Sequence, residues 1–383
     1  MNESNSIQVN SNVLKWAREM SVLSPNKTSK ETGISLGRLS QLESGEKQPT
    51  LEELKLLSKT YKRTLATLLL NEQPREKPLP KDRRTVDSEE LNSFHFKTII
   101  AVRKARALLK SLLELKKEFG IPASQFQFNA TLQDSTLNIA EQIRKTLKLQ
   151  EIRGSANDNQ ALEAYIEKVE SSGIAIFQLS LTQDKLRGFS LLDEEIPVIV
   201  IKRNEQPTAK IFTLFHELGH IILGDDGICD INFNQDAQQI EKWCNSFAAN
   251  VLIPSEELLD QDIVKRQISA GEKEWTKADL VEIGKHFNVG PLAILRSLLE
   301  LELTTKEFYK GRHKAWNKPS FGRAKHPEGR NIPKETIRER GRTYVGLAFR
   351  AYDQNRIDLK DLSDFLGVKL SYISKTRQLL SSL

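Results

Sequence analysis

Apolar residues recur at helical spacing between Asn12 and Asn71, in Val13-Leu14-Trp16-Ala17, Leu36-Leu39-Leu42 and Leu51-Leu54-Leu56-Leu57. Gly33 and Gly45 interrupt the pattern, and Pro49-Thr50 marks a helix start before Leu51. A compact domain of five short helices over residues 12–72 is the expectation. Gln73 to Arg84 then concentrates proline and charge, which predicts an exposed linker over residues 73–87.

Helical periodicity returns in Ser88–Glu118, Ser135–Lys148 and Asn157–Ser171. After Gly173 the character changes. Ile174–Leu179, Gly188–Leu192 and Pro197–Lys202 are short and rich in Ile, Val and Phe, which predicts the strands of a small sheet. Thr208–Leu223 reads as a helix, followed by an acidic, glycine-containing loop from Gly224 to Asp230 and another helix from about Asp236 to Leu252. The rest is helical by pattern, with Trp275–Phe287 and Pro291–Leu301 as one pair and Lys334–Asn355 with Asp358–Leu380 as another. The fold class is therefore α+β and mostly helical, with a sheet-containing domain over residues 88–302 and a helical C-terminal region over 303–383.

A chain of 383 residues exceeds what one core usually organises, so two or three domains are expected. No apolar run is long enough to cross a bilayer, and the polar stretch Met1–Asn12 lacks the character of a secretory signal. With only Cys229 and Cys244, and no CxxC spacing, a disulfide scaffold is excluded and a reducing, cytoplasmic setting is the expectation. The net charge of +6 permits contact with nucleic acid without arguing for it. The basic stretch Lys310–Arg342 could touch DNA or an acidic partner, although such runs are more often solvated loops.

Chemistry concentrates in His216-Glu217-Leu218-Gly219-His220. On a helix, residues four apart lie one turn from each other, so both imidazoles face the same way and can share one zinc ion. Glu217, beside them, is placed to take a proton from water and pass it to a leaving amine. The alternative is a structural histidine pair. Apolar flanks, Ile211–Phe215 and Ile221–Leu223, put the polar triplet in a buried helix, where partnerless histidines would be costly, and this favours a metal. A third ligand comes from Asp226 or Glu241. Asp226 has the spacing of a long zincin motif, but Leu223 replaces the glycine that motif needs, so Glu241 on the following helix is preferred, with Asn245 one turn on in support.

Gly188-Phe189-Ser190-Leu191, Pro197–Val200, Phe212–His220 and Glu241–Ala249 through Ile253-Pro254 together resemble the ImmA/IrrE metallopeptidase family over about Lys97 to Glu302. The resemblance implies a reduced zincin fold, zinc held by His216, His220 and Glu241, Glu217 as general base, and helix-turn-helix repressors as substrates. Trp243 stands where many members carry a second acidic residue. Cys244, next to it, reads as a small buried hydrophobe rather than a redox sensor. His286 and Arg296 are the available candidates for stabilising an oxyanion, and neither is assigned.

In the first domain, Trp16–Glu19, Gly33-Ile34-Ser35, Leu39–Glu46 and Pro49-Thr50 resemble the XRE/Cro-type helix-turn-helix family. The resemblance places Ser35 to Ser44 on a recognition helix, with Ser35, Arg38 and Gln41 able to meet bases and Lys30 and Lys47 to neutralise phosphates. Thr28 and Thr32 replace usual core apolar residues, and Glu31 and Glu43 bring negative charge toward the DNA backbone. A protein-binding domain that keeps the fold is the competing reading. The whole chain then reads as a regulatory zinc endopeptidase that cuts a protein partner, with a DNA-binding regulator carrying a structural or sensory zinc site as the alternative. The oligomeric state stays open and a dimer is compatible.

Overall fold

Side-chain caps set the helix boundaries at the start of the chain. Ser24, Ser35 and Thr50 accept hydrogen bonds from the backbone amides of Lys27, Arg38 and Glu53, which starts α2 (Pro25–Thr32), α3 (Leu36–Ser44) and α4 (Leu51–Tyr61) behind α1 (Ser11–Glu19). Gly33, with φ of 74°, ends α2 in a left-handed conformation that favours glycine and turns the chain into α3. With α5 (Leu65–Leu68) these helices enclose Leu14, Ala17, Leu39, Leu42, Leu54, Leu57 and Tyr61. Thr28 and Thr32 are buried in this core, where Thr32 Oγ1 donates to the Thr28 carbonyl at 2.7 Å. The hydroxyl is thus satisfied within its own helix, and a polar residue is tolerated at an apolar position.

The computed structural model describes residues 6–77, 81–82, 96–122, 126–152, 157–181, 186–192, 195–224, 227–228, 235–316 and 331–382. Its contacts form two compact units, residues 1–79 with 86–104 and residues 80–85 with 105–383. Following α5 are β1 (Lys81–Asp82), α6 (Phe96–Glu118), α7 (Thr136–Thr146), α8 (Asp158–Ser171), β2 (Ala175–Leu179), β3 (Gly188–Leu191), β4 (Val198–Lys202), α9 (Pro207–Ile222), β5 (Gly227–Ile228) and α10 (Gln235–Leu252). The remaining helices are α11 (Ser255–Asp260), α12 (Asp262–Ala270), α13 (Lys277–Phe287), α14 (Pro291–Glu300), α15 (Lys306–Trp316), α16 (Ile332–Arg340), α17 (Arg342–Asp353), α18 (Leu359–Leu366) and α19 (Ile373–Ser382). The α+β, mostly helical class is what the chain forms.

The sheet has the order β2-β4-β3, with β4 parallel to β2 and antiparallel to β3, so β3 is an edge strand. Almost every residue of its strands is buried, which explains why they read as continuous apolar runs instead of alternating ones. β1, inside the stretch expected as linker, pairs in parallel with β5. α9 packs against β3, β4, α8 and α10. Gly219 governs the last contact: a Cβ there would stand 3.2 Å from both Cys244 Sγ and Phe247 Cδ1, so the absent side chain lets α10 approach closely.

Two expected helices are corrected by glycines. Lys334–Asn355 is not one helix but α16 and α17, broken at Gly341, whose φ of 83° and ψ of 153° no helix contains. Asp358–Leu380 is likewise divided, because Gly367 caps α18 in the left-handed conformation before a single 3-10 turn and α19. The basic stretch is no simple loop either, since Lys310–Trp316 belongs to α15 and residues 332–340 to α16, while 317–330 lie outside the described residues. Residues 88–95 of the expected helix Ser88–Glu118 also lie outside them.

Candidate functional site

The apolar face of α9 packs on the sheet and carries His216, Glu217 and His220 with it. The two imidazoles meet with their Nε2 atoms 3.2 Å apart. From α10, Glu241 brings Oε2 to 3.4 Å from His216 Nε2 and Oε1 to 3.5 Å from His220 Nε2. Two imidazole nitrogens and a carboxylate therefore converge, and their donor atoms all lie within 4.8 Å of one another. Ligands of a tetrahedral zinc at about 2.0–2.2 Å stand about 3.4 Å from each other, so this spacing fits such an ion without rearrangement. His220 is 0% exposed, whereas the side chains of His216 and Glu241 are each 14% exposed, so the cluster has one closed side and one side open to solvent.

Glu217 is only 2% exposed. Burial pushes its carboxyl above the usual carboxylate range, against the opposing pull of His220 and His216. Glu241 goes the other way: burial pushes it up, but hydrogen bonds from His216 and His220 prevail and hold it well below the usual range. Two carboxylates beside the same imidazoles are thus driven apart, one toward proton exchange and one toward permanent charge. His216 Nδ1 and Glu217 Oε2 are buried and make no hydrogen bond of good geometry. Such orphaned polar atoms are rare in folded chains and cluster where chemistry is done.

The supporting residues fall as follows. Asn245 Nδ2 donates to the backbone carbonyl of Glu241 at 2.7 Å and so steadies the turn that bears the carboxylate, not the carboxylate itself. Trp243 is buried, stacks on Phe247 and donates from Nε1 to the Asp134 carbonyl at 3.1 Å. Burial pushes the Cys244 thiol up, as befits a packed, unreactive cysteine. Asp226, the other candidate ligand, and Cys229 lie outside the described residues. His286 is exposed with its ring edge-on to Phe287, and Arg296 pairs with Glu300 at 3.2 Å. Nothing in the apolar pattern of β3 points to chemistry, yet a Cβ at Gly188 would stand 3.0 Å from Glu217 Oε1. The strand alternation of Gly188 and Ser190 was the signal for that.

In the amino-terminal unit the residues expected at DNA lie on and around α3: Arg38 and Gln41 within it, Ser35 at its N-cap, Lys30 on α2 and Lys47 beyond its end. Lys30 and Lys47 are exposed. Ser35 Oγ is occupied as the cap of α3, accepting from the Arg38 amide at 3.2 Å. Arg38 Nε and Nη2 donate to both carboxylate oxygens of Glu53 at 2.8 and 2.9 Å, and Nη2 also donates to the Gln48 carbonyl at 3.0 Å. Gln41 Nε2 donates to Glu46 Oε1 at 3.2 Å. Glu43 accepts from Arg18 Nε and Nη2 at 2.7 and 2.9 Å, so its charge is matched within the fold. Glu31 is exposed.

Two segments of the chain match known family models. Residues 169–299 match the model of the IrrE N-terminal-like domain, peptidase family M78. Residues 14–68 match the helix-turn-helix model of XRE type. The two matched segments lie in the order of the ImmA/IrrE arrangement, a helix-turn-helix segment ahead of an M78-type segment. A search of curated proteins returns no match. Among solved structures, the apo form of ComR from S. Thermophilus aligns at 13% identity over 97% of this chain and 95% of that chain, with a TM-score of 0.15, too low to carry an argument. No helix among the described residues is long and apolar enough to cross a membrane.

Proposed function

We propose that the protein is a zinc-dependent endopeptidase that regulates gene expression by cutting a protein partner, a helix-turn-helix repressor being the class its family resemblance implies. The observation that carries this is the convergence of His216, His220 and Glu241 at separations of 3.2 to 3.5 Å beside the buried Glu217, whose Oε2 makes no hydrogen bond. His216, His220 and Glu241 would hold the zinc ion. When bound, zinc supplies the Lewis acidity that makes water a competent nucleophile near neutral pH. Glu217 accepts the proton that water gives up and hands it to the departing amine, a task suited to a carboxyl raised by burial. Closure around His220 keeps bulk water from one side, and the exposed edges of His216 and Glu241 leave an approach for a polypeptide. Asn245 stabilises the turn of α10 behind Glu241.

The amino-terminal unit gives the peptidase an address, either duplex DNA met by Ser35, Arg38 and Gln41 with Lys30 and Lys47 on phosphates, or the repressor itself. The test is metal analysis of the purified chain, wild type against Glu241→Ala, alongside incubation of each with candidate repressors. One zinc per wild-type chain, its loss in the variant, and cleavage only by the loaded protein are expected. A wild-type chain that takes up no zinc ends this reading. A chain that keeps zinc and its regulatory output with Glu217→Gln is instead a DNA-binding regulator with a structural or sensory metal.

A further inference from the structure

Helix α15 divides its residues between two faces. Phe308, Tyr309 and Trp316 are half-buried and pack against the hydrophobic core that also holds α9 and α10, and the Arg312 guanidinium lies 4.9 Å from the Phe308 ring centre and 5.7 Å from that of Trp316. Residues four apart are neighbours on a helix, so this row of ring, cation and ring fixes one side of α15 to the body of the protein. The other side carries Lys306, Glu307, Lys310, Gly311, Lys314 and Ala315, all exposed. Lys306, Lys310 and Lys314 recur at every fourth position, so they leave the helix in one row, about 6 Å apart and about 12 Å from end to end. None of the three has an ion-pair or hydrogen-bond partner among the described residues. By contrast Lys168, Lys265 and Lys285 each meet a carboxylate, at 2.6, 2.6 and 2.9 Å. Glu307 is the only acid on α15, and at Gly311 no heavy atom lies within 4 Å of where a Cβ would stand.

We propose that the Lys306–Lys310–Lys314 face of α15 is a sequence-independent contact for the phosphate backbone of duplex DNA. The chemistry of the face selects this occupant. It carries no large apolar side chain to enter a bilayer, because the aromatic residues of α15 are turned to the core. Gly311 and Ala315 are too short to read base edges or to grip the side chains of an acidic peptide. Lysine ends in a point charge without the planar fork that selects a particular base or carboxylate. A duplex supplies about one negative charge per 1.7 Å of its axis, so a straight row of lysines meets phosphates in any register. This contact is separate from the one read at α3, and it does not rest on the peptidase reading.

The test is fluorescence anisotropy of the full chain with two labelled duplexes of equal length and unrelated sequence, across a range of salt concentrations. Each lysine that neutralises a phosphate contributes about 0.9 to the slope of log affinity against log salt. Lys306→Gln, Lys310→Gln and Lys314→Gln made together are expected to lower that slope by about 2 to 3 on both duplexes and to weaken binding about a hundred-fold near physiological salt. Glutamine keeps helix propensity, so thermal unfolding is expected to stay as in wild type. Lys168→Gln, Lys265→Gln and Lys285→Gln made together remove the same charge from paired sites and are expected to leave the slope alone. An equal loss in this control reduces the effect to net charge and overturns the proposal. It is also overturned by an unchanged slope in the α15 variant, whether wild type binds neither duplex or Lys30→Ala and Lys47→Ala account for the whole salt dependence. A slope lowered on one duplex only means that the face reads sequence, contrary to the proposal. Intact duplex binding with lost binding of labelled poly-glutamate assigns the row to an acidic polypeptide and ends the DNA reading. Zinc content and cleavage take no part in these readings, so failure of the peptidase would be seen separately.

Discussion

The recognition helix α3 and the α9–α10 pair treat their polar groups in opposite ways. Around α3 every candidate contact residue with a hydrogen bond is already satisfied at home: Arg38 by Glu53 and Gln48, Gln41 by Glu46, Ser35 by its own helix start. Around α9, His216 Nδ1, Glu217 Oε2 and Ser190 Oγ are buried without partners while the Nε2 atoms and Glu241 converge. The difference follows from water. A surface group can exchange a neighbour for a ligand at little cost, because exposed pairs contribute about 0–1 kcal/mol. A buried group cannot wait in this way, so helix packing must set its geometry in advance.

The comparison breaks most visibly at Glu217. If that carboxylate is a prearranged base, Glu217→Gln keeps zinc and fold while proteolysis of the partner falls about 10²- to 10⁴-fold, the usual contribution of a positioned general base. Single-turnover cleavage assays with metal content measured on the same sample decide it. Cleavage within a few-fold of wild type would place the chemistry elsewhere.

Glu170 shows what an enclosed carboxylate does without imidazoles. Its residue is partly exposed at the surface, but the carboxylate itself is enclosed against Gly341 and accepts from Thr343 Oγ1 at 2.7 Å. Burial pushes it up to about 7 from an ordinary 4.5, against the pull of Thr343. The folded chain therefore binds a proton that the unfolded chain releases, so stability declines as pH rises from about 4.5 to about 7. The decline amounts to roughly 3 kcal/mol at most. Urea midpoints across that interval should fall for wild type and flatten for Glu170→Gln. A parallel decline in the variant would assign the effect to another group.

A smaller effect is expected where α9 meets α10. Gly219→Ala puts a methyl 3.2 Å from Cys244 Sγ and Phe247 and 3.3 Å from the Cys244 backbone, so the helices must separate by a few tenths of an ångström. Overpacking of this kind costs about 1–3 kcal/mol, and it also moves Glu241 away from the imidazoles. Denaturation and zinc affinity should weaken together. Stability lost without any change in zinc affinity would mean that the donor set does not depend on this contact.

Much of this was legible in the chain, and unevenly so. The His216–His220 spacing and the apolar flanks of α9 encode a buried helix with two imidazoles on one side, because helical period alone puts them there. The buried strands were legible as apolar runs. Less legible was whatever depends on approach between elements. Nothing in the local pattern around Gly341 or Gly367 distinguishes a helix-interior glycine from one with positive φ, so periodicity predicts two helices where there are four. Similarly, Arg38 reads as a free base contact until Glu53, fifteen residues on, is brought beside it by packing of α3 and α4. Gly188 and Ser190 were visible as a motif, but only the fold shows which residue they face.

The smallest expected effect tests the other side of the comparison. Glu53 is held below the usual carboxylate range, first by its hydrogen bond from Arg38 and further by the Thr50 amide, with burial pulling the opposite way. A depressed carboxylate stabilises the fold above its unfolded value of about 4.5, and that contribution disappears as pH falls through the folded value. Arg38→Ala should thus cost no more than about 1 kcal/mol at pH 7, and the gap from wild type should close in acid. Because the pair is a cheap one to exchange, Glu53→Gln should release Arg38 and raise the affinity of the full chain for duplex DNA by about two- to five-fold, less than the 1 kcal/mol ceiling of such pairs permits. Fluorescence anisotropy with a labelled duplex at fixed salt reads this directly. If Glu53→Gln leaves DNA affinity unchanged while Lys30→Ala and Lys47→Ala lower it, Arg38 is a structural clasp and base contacts come from elsewhere on α3. If none of the three changes matters, the helix-turn-helix domain recognises protein instead of DNA, and the contrast between a waiting surface and a prearranged site holds only for its buried half.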